Sequence, residues 1–257
     1  MNNNNTNALN IIEAYRDFIA RKDKDNYKAR YEGNEQFFHA SSAGRCMRKH
    51  YYSSTNTPQT NFPSAQSMRT LRLGGVMHEE LQQIFAGKQC GYNSIYNIYI
   101  EKEITIPEYN VRGFYDLVLE ATDKENPKVY LYDFKTIGNF GYKIRFSTEP
   151  RFLKYDHDNC NELQVATYGL AVKKKFGRLD GMFLVYFEKD RQEMKQISVP
   201  MNYLTAAENY WNTLKATIEI GVPEIDNCFS PSADWECKWS SGSCGYVDLC
   251  RGKSYER

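Results

Sequence analysis

The chain has 257 residues, 41% hydrophobic and 25% charged, which is the make-up of a folded domain with room for a sizeable core. Its 33 Lys and Arg nearly balance 32 Asp and Glu, so a net charge of +1 excludes a global basic field and leaves any nucleic-acid surface to a local patch. No apolar run approaches the roughly 20 residues of a membrane helix, and the polar start, MNNNNTNALN, lacks the basic-then-apolar order of a secretory signal. The expectation is a cytoplasmic protein with no membrane partner, residues 1–9 being a disordered lead-in to a single domain over 10–257.

In chain order, residues 8–30 place Ile11, Ile12, Tyr15, Phe18 and Ile19 at helical spacing. A Ser-led segment, 41–55, predicts a short helix. Residues 68–86 predict a third helix despite Gly74 and Gly75, with Leu73, Val76, Met77, Leu81, Ile84 and Phe85 as its buried stripe. The period then changes. Residues 95–106, 111–120 and 128–135 read as three successive strands, separated by turns carrying Pro, Asn and Asp. A helix over 159–176 follows, with Leu163, Val165, Ala166, Leu170 and Ala171 on its apolar face. After it come a hairpin from 181–190 and 193–201, a helix over 203–220, and a loop-rich tail from 223. This order predicts an α/β or α+β fold, a central mixed sheet flanked by helices, with its core about residues 68–202.

One strand ends unusually. In VYLYDFKTIG (129–138), Asp133 and Lys135 are two apart and so share a face of a strand otherwise built for burial. Buried charges are costly unless paired or bound to a metal. If 111–120 and 128–135 form a hairpin, Asp116 can face Asp133 across it, and two close carboxylates repel unless a cation lies between them. A hard ion such as Mg²⁺ or Mn²⁺ resolves that repulsion; a plain ion pair of Lys135 with one Asp is the other reading. His78 on the preceding helix is either a further metal ligand or a structural histidine. Gln164 and Tyr168, four apart, share one face of the next helix and are either site residues or partly buried polar groups.

Seven cysteines, an odd number, argue against a disulfide framework in a cytoplasmic chain. Four of them, Cys228, Cys237, Cys244 and Cys250, crowd near the end in a way that suits metal ligation. Cys90 and Cys160 are assigned to packing.

In order, Gly74-Gly-Val-Met-His78, Gly113-Phe-Tyr-Asp116, Asp133-Phe-Lys135 and Gln164-Val-Ala-Thr-Tyr168 resemble the G-x-x-x-H, G-x-x-D, D/E-x-K and Q-x-x-x-Y motifs of the PD-(D/E)XK nuclease superfamily, specifically its RecB-like branch. SSAGRCMRKHYY (41–52) resembles the N-terminal segment of those RecB-like nucleases that carry an iron–sulfur cluster, the AddB-type and CRISPR-adaptation exonucleases among them. In that group one Cys precedes the core and three follow it. The resemblance therefore implies Cys46, Cys237, Cys244 and Cys250 as ligands of a [4Fe–4S] cluster, with zinc as the alternative, on elements about 41–55 and 228–251. One spacing departs from the family: Cys237 and Cys244 are separated by KWSSGS where two residues are usual, and Cys228 is a substitute ligand.

The resemblance further implies a restriction-endonuclease-like core and metal-dependent hydrolysis of DNA. His78, Asp116, Asp133 and the backbone carbonyl of Phe134 would hold Mg²⁺ or Mn²⁺, Lys135 would orient the attacking water, and Gln164 and Tyr168 would position the strand or support the metal site. The implied enzyme is an exonuclease on single-stranded DNA ends, in DNA repair, recombination, CRISPR adaptation or phage DNA processing, with a helicase or recombination or CRISPR proteins as partners. The alternative is a nuclease-fold DNA-binding subunit without activity of its own. Two sets of residues suit the DNA path: Arg45, Arg48 and Lys49, and Lys143 and Arg145 in a loop among Phe140, Tyr142 and Phe146. A solvated loop with apolar anchors is the other reading of the second set.

Overall fold

The computed structural model of the protein describes residues 11–31, 37–86, 91–153, 159–224, 234–239 and 242–252; the expected lead-in, Cys90 and Cys228 lie outside them. Its centre is a mixed sheet of β1 (Phe38–His39), β2 (Tyr96–Ile106), β3 (Val111–Ala121), β4 (Val129–Ile137), β5 (Gly181–Glu188) and β6 (Met194–Val199). The order is β1-β3-β4-β5-β6, with β2 also on β3. Short turns make β2–β3, β3–β4 and β5–β6 antiparallel. β4 and β5 are parallel, so the chain must cross over between them, which it does through α4 (Asn139–Phe146), α5 (Pro150–Leu153) and α6 (Cys160–Phe176). The predicted α+β class and mixed sheet are borne out.

Helices cover both faces. On one lie α6 and α7 (Tyr203–Ile220), over a core that includes Val111, Tyr115, Val118, Leu131, Met182, Leu184 and Trp211. On the other lies α3 (Ala65–Ala86), over Leu117, Leu119 and Phe134. α6 is buried almost all round, from Leu163 to Gly169, because the sheet, α7 and residues 40–44 enclose it. The predicted apolar face of α6 was therefore too narrow.

Three expectations are corrected. In α3, Leu73, Val76 and Ile84 are exposed. Gly74 approaches Thr136 of β4, and the face that continues from it through His78, Leu81, Gln82 and Phe85 is the one turned to the sheet. In α1 (Ile11–Tyr31) only Ile19 of the expected stripe is buried, while Ile11, Ile12, Tyr15 and Phe18 are exposed. The segment after Gly138 is a helix, α4, rather than a loop. Asp190 Oδ2 accepts the Asn139 N–H at 2.9 Å and so satisfies one of the donors that every helix start leaves open.

The N-terminal segment docks through a buried histidine. His50, on α2 (Met47–Ser54), has Nε2 3.0 Å from the Ser42 carbonyl and 2.9 Å from Tyr210 Oη on α7. An Nε2–H tautomer serves both, and the Tyr210 hydroxyl then donates to the Arg45 carbonyl at 3.3 Å. Burial pushes the His50 pKa down from 6.5 to about 4. The fold thus favours neutral His50: this contribution is complete above pH 6.5 and is lost as pH falls towards 4, a loss of about 3 kcal/mol once both states are protonated. Urea unfolding of wild type and His50→Gln across this window is expected to show a flatter pH dependence in the variant.

Candidate active site

The site is built where two strands part. β3 and β4 are in register from Glu120↔Val129 to Leu117↔Tyr132. Beyond that they separate, and β1 takes up the start of β3 in parallel, Phe38 opposite Val111. Asp116 and Asp133 are the next positions by count, so the two carboxylates stand at the fork. Asp116 Oδ2 accepts the Phe134 N–H at 2.6 Å across the gap, and Oδ1 lies 3.2 Å from His78 Nδ1. The Phe134 ring packs edge-on against His78, with centroids 6.1 Å apart.

Burial acts against a charged His78, but the hydrogen bond and negative charge of Asp116 outweigh it and raise its pKa above the usual histidine value. Asp133 is 1% exposed. Burial, opposed by Lys135 and reinforced by the charge of Asp116, raises its carboxyl to about 6.

Gln164 ties the lysine to this group. Its Oε1 accepts from Lys135 Nζ at 2.9 Å, and its Nε2 donates to Asp133 Oδ1 at 3.1 Å and to Tyr168 Oη at 3.2 Å. Lys135 Nζ also lies 2.6 Å from Asp133 Oδ2, an ion pair, and no other group reaches that buried oxygen. His78, Asp116, Phe134, Asp133, Lys135, Gln164 and Tyr168 are thus in one place. Two carboxylates and an imidazole are donors of the kind a hard divalent cation takes, though among the described residues no three Cys, His, Asp or Glu side chains are arranged to hold a metal ion as the chain stands. The Lys135–Asp133 ion pair is present as well.

Two residues of this neighbourhood escaped the sequence reading. Tyr186 of β5 stands beside Lys135 in the parallel pair, fully buried, and accepts a hydrogen bond from Asn161 Nδ2 at 3.1 Å. Burial raises its phenol pKa. Asn161 lies one helical turn before Gln164, a spacing that could have marked it; Tyr186 is found only once the β4–β5 register is known.

The proposed DNA contacts are placed unequally. Lys49 is exposed and Lys143 half-buried, its Nζ 5.8 Å from the Phe152 ring centre. Arg45 lies 3.6 Å from Glu236, and Arg48 donates to Tyr52 Oη at 3.0 Å. Arg145 is turned inward: it pairs with Glu162, its guanidinium is over the Tyr186 ring, and its side chain is 8% exposed. It is part of the wall of the site rather than of an open basic surface.

The cysteines implied as ligands draw together from the two ends of the chain. Cys46 precedes α2, Cys237 ends α8 (Asp234–Cys237), and Cys250 lies in α9 (Val247–Arg251). Glu236 Oε2 accepts the Cys46 N–H at 3.0 Å. The long Cys237–Cys244 spacing is taken up by a hairpin of β7 (Lys238–Trp239) and β8 (Gly242–Ser243), which sets the Cys244 N–H 2.9 Å from the Cys237 carbonyl. Burial raises the thiol pKa values of Cys244 and Cys250, and the charges of Cys46 and Cys237 act on both in the same direction. As the chain stands, these thiols are not arranged to hold a metal ion either. Cys160 is buried against the Gly44 carbonyl, a packing role as expected.

A mixed sheet that forks around Asp116, Asp133 and Lys135 defines a class, the nuclease cores with a carboxylate–lysine site. The sequence model of the PD-(D/E)XK nuclease superfamily matches residues 91–251, more than half of the chain. The chain belongs to that superfamily, as its motifs suggested. No curated protein matches it. The fold is similar to the crystal structure of SSO0001, with a TM-score of 0.55 and 18% identity, covering 94% of this chain and 98% of that one. The alkaline exonuclease LHK-Exo from Laribacter hongkongensis is also similar, with a TM-score of 0.44 and 11% identity over 75% of this chain and 92% of that one. Its complex with dAMP gives 0.45 and 14%, over 76% and 94%.

The two motif glycines differ in what they tolerate. A Cβ at Gly113 would stand 2.8 Å from Ala40 Cβ and 3.0 Å from the Tyr168 ring, whereas at Gly74 it would meet only Thr136 Oγ1, at 3.1 Å. Gly113→Ala is expected to cost about 1–3 kcal/mol by overpacking. Gly74→Ala is expected to be near neutral, because a gain of about 1 kcal/mol in helix propensity offsets its one close contact. Urea unfolding of the two variants checks both.

Proposed function

We propose that this protein is a metal-dependent DNA nuclease, an exonuclease of the RecB-like branch acting on single-stranded ends. The observation that carries the reading is the fork of β3 and β4, where Asp116, Asp133, Lys135 and Gln164 converge and one buried Asp133 oxygen is met by the Lys135 ammonium alone. Asp116, Asp133, His78 and the Phe134 carbonyl would hold Mg²⁺ or Mn²⁺. When bound, such an ion neutralises charge on the reacting phosphate and lowers the pKa of a coordinated water.

The chain's own residues do the rest. Gln164 fixes the Lys135 ammonium beside Asp133, so Lys135 can orient the attacking water and stabilise negative charge as it develops. The Asp116 carboxylate is held by a backbone N–H, so it needs little reorganisation when a cation arrives. Tyr168 supports Gln164 through a hydrogen bond.

Single-stranded DNA fits the surface just past β4. On α4 and α5, Phe140 is exposed and packs edge-on with Phe152, over which Arg151 lies at 4.9 Å; Lys195 lies 4.5 Å over the Phe146 ring. Rings for bases and cations for phosphates are the ordinary means of holding a single strand. At the other end, Cys46, Cys237, Cys244 and Cys250 would hold a [4Fe–4S] cluster, with zinc as the alternative. Support comes from Cys46 and Cys237 lying within electrostatic reach of both Cys244 and Cys250, and from the hairpin that absorbs the atypical spacing. A role in repair, recombination, CRISPR adaptation or phage DNA processing, beside a helicase or recombination or CRISPR proteins, follows from the motif resemblance.

End-labelled single-stranded and duplex DNA, with Mn²⁺, Mg²⁺ or chelator, tests the activity. Wild type is expected to cleave only with metal, and Lys135→Ala to lose about 10²–10⁴-fold in rate. Absence of cleavage on every DNA by protein with its cysteine-bound group intact would favour the DNA-binding subunit instead. Iron, sulfide and zinc analysis of anaerobically purified wild type and Cys46→Ser is expected to show iron and sulfide in the first and their loss in the second.

A further inference from the structure

Four described residues other than glycine have a left-handed backbone. Asn56, Asn110 and Gln192 lie in turns or connections, but Glu101, with φ 47°, lies in the middle of strand β2. A left-handed residue with a side chain is unfavourable, and inside a strand it asks for a reason.

Both strands change faces at that level. Before Glu101, Tyr96, Ile98 and Ile100 pack on the α3 side of the sheet; after it, Ile104 and Ile106 pack on the α6 side. In β3, Val111 and Tyr115 are on the α6 side, but Leu117 and Leu119, which strict alternation would put with them, are on the α3 side. The register runs through Ile100↔Leu117 and Lys102↔Tyr115, so the residues at the turn-over are Glu101 and Asp116. Helix α3 fastens both. His78 Nδ1 is 3.2 Å from Asp116 Oδ1, and one turn later the buried Gln82 donates Nε2 to Glu101 Oε1 at 3.0 Å.

We propose that Glu101 is a positioning residue for the metal site: its left-handed backbone turns β2 and β3 over together and so delivers the Asp116 carboxylate to His78 and the Phe134 N–H. The proposal rests on the metal-dependent reading above. What matters at position 101 is then the backbone conformation rather than the carboxylate. Glycine adopts this conformation freely, whereas valine, branched at Cβ, does not.

The test is calorimetric titration of Mn²⁺ alone into wild type, Asp116→Asn, Glu101→Gly and Glu101→Val, with circular dichroism to check folding. Wild type is expected to bind and Asp116→Asn to lose binding. Glu101→Val is expected to bind about 10-fold or more weakly, the size usual for residues that orient metal ligands, and Glu101→Gly to stay within about threefold of wild type. Equal loss in the glycine and valine variants overturns the proposal, because the carboxylate itself would then serve the metal. Wild-type affinity in Glu101→Val overturns it as well. If the valine variant does not fold, the glycine variant decides: retained binding supports the proposal and lost binding sinks it. No Mn²⁺ binding by wild type would instead overturn the metal-dependent reading, and the positioning role with it.

Discussion

The fold depends on a hydrogen bond in which a side chain replaces a strand. Where β4 leaves β3, the Phe134 N–H loses its place in the ladder, and a buried N–H without an acceptor is expensive. Asp116 Oδ2 accepts it at 2.6 Å. That bond lets the sheet fork without an orphaned amide, and the fork in turn makes the space in which Asp116 and Asp133 approach each other. Structural need and chemical readiness are met by one carboxylate.

Around it, the charges are arranged so that none stands isolated. Gln164 bridges Lys135, Asp133 and Tyr168, so four side chains from β4 and α6 form one network. Arg145 and Glu162 close the wall behind Tyr186 as a second, inward pair. Ion pairs at this depth are weak sources of stability, since desolvation offsets much of their attraction. Their use here is orientation: they hold the lysine and the carboxylates in fixed relative positions.

Much of this was legible in the sequence because motifs and periodicity are local. Asp133 and Lys135 announced themselves by sitting two apart at the end of an apolar strand, and Gln164 and Tyr168 by their helical spacing. The mixed sheet followed from the order of periods. What the sequence hid was relational. Leu73, Val76 and Ile84 look as apolar as any core residue, and only the close approach of Gly74 to Thr136 decides that another face of α3 turns inward. Arg145 looked like a phosphate contact until Glu162, seventeen positions away, was seen to claim it. Tyr186 is invisible without the β4–β5 register, and the inversion at Glu101 without a backbone angle.

The contact of Glu236 with the Cys46 amide joins residues 190 positions apart, so it closes nearly the whole chain into a ring. The His50–Tyr210 contact already brings the N-terminal segment onto α7, so the Glu236 contact closes only the stretch that follows α7, at far smaller entropic cost than 190 flexible residues. The seam between the chain's two ends is therefore closed twice, by Tyr210 on His50 and by Glu236 on Cys46. A group bound by thiols from both sides would convert that seam into a permanent link.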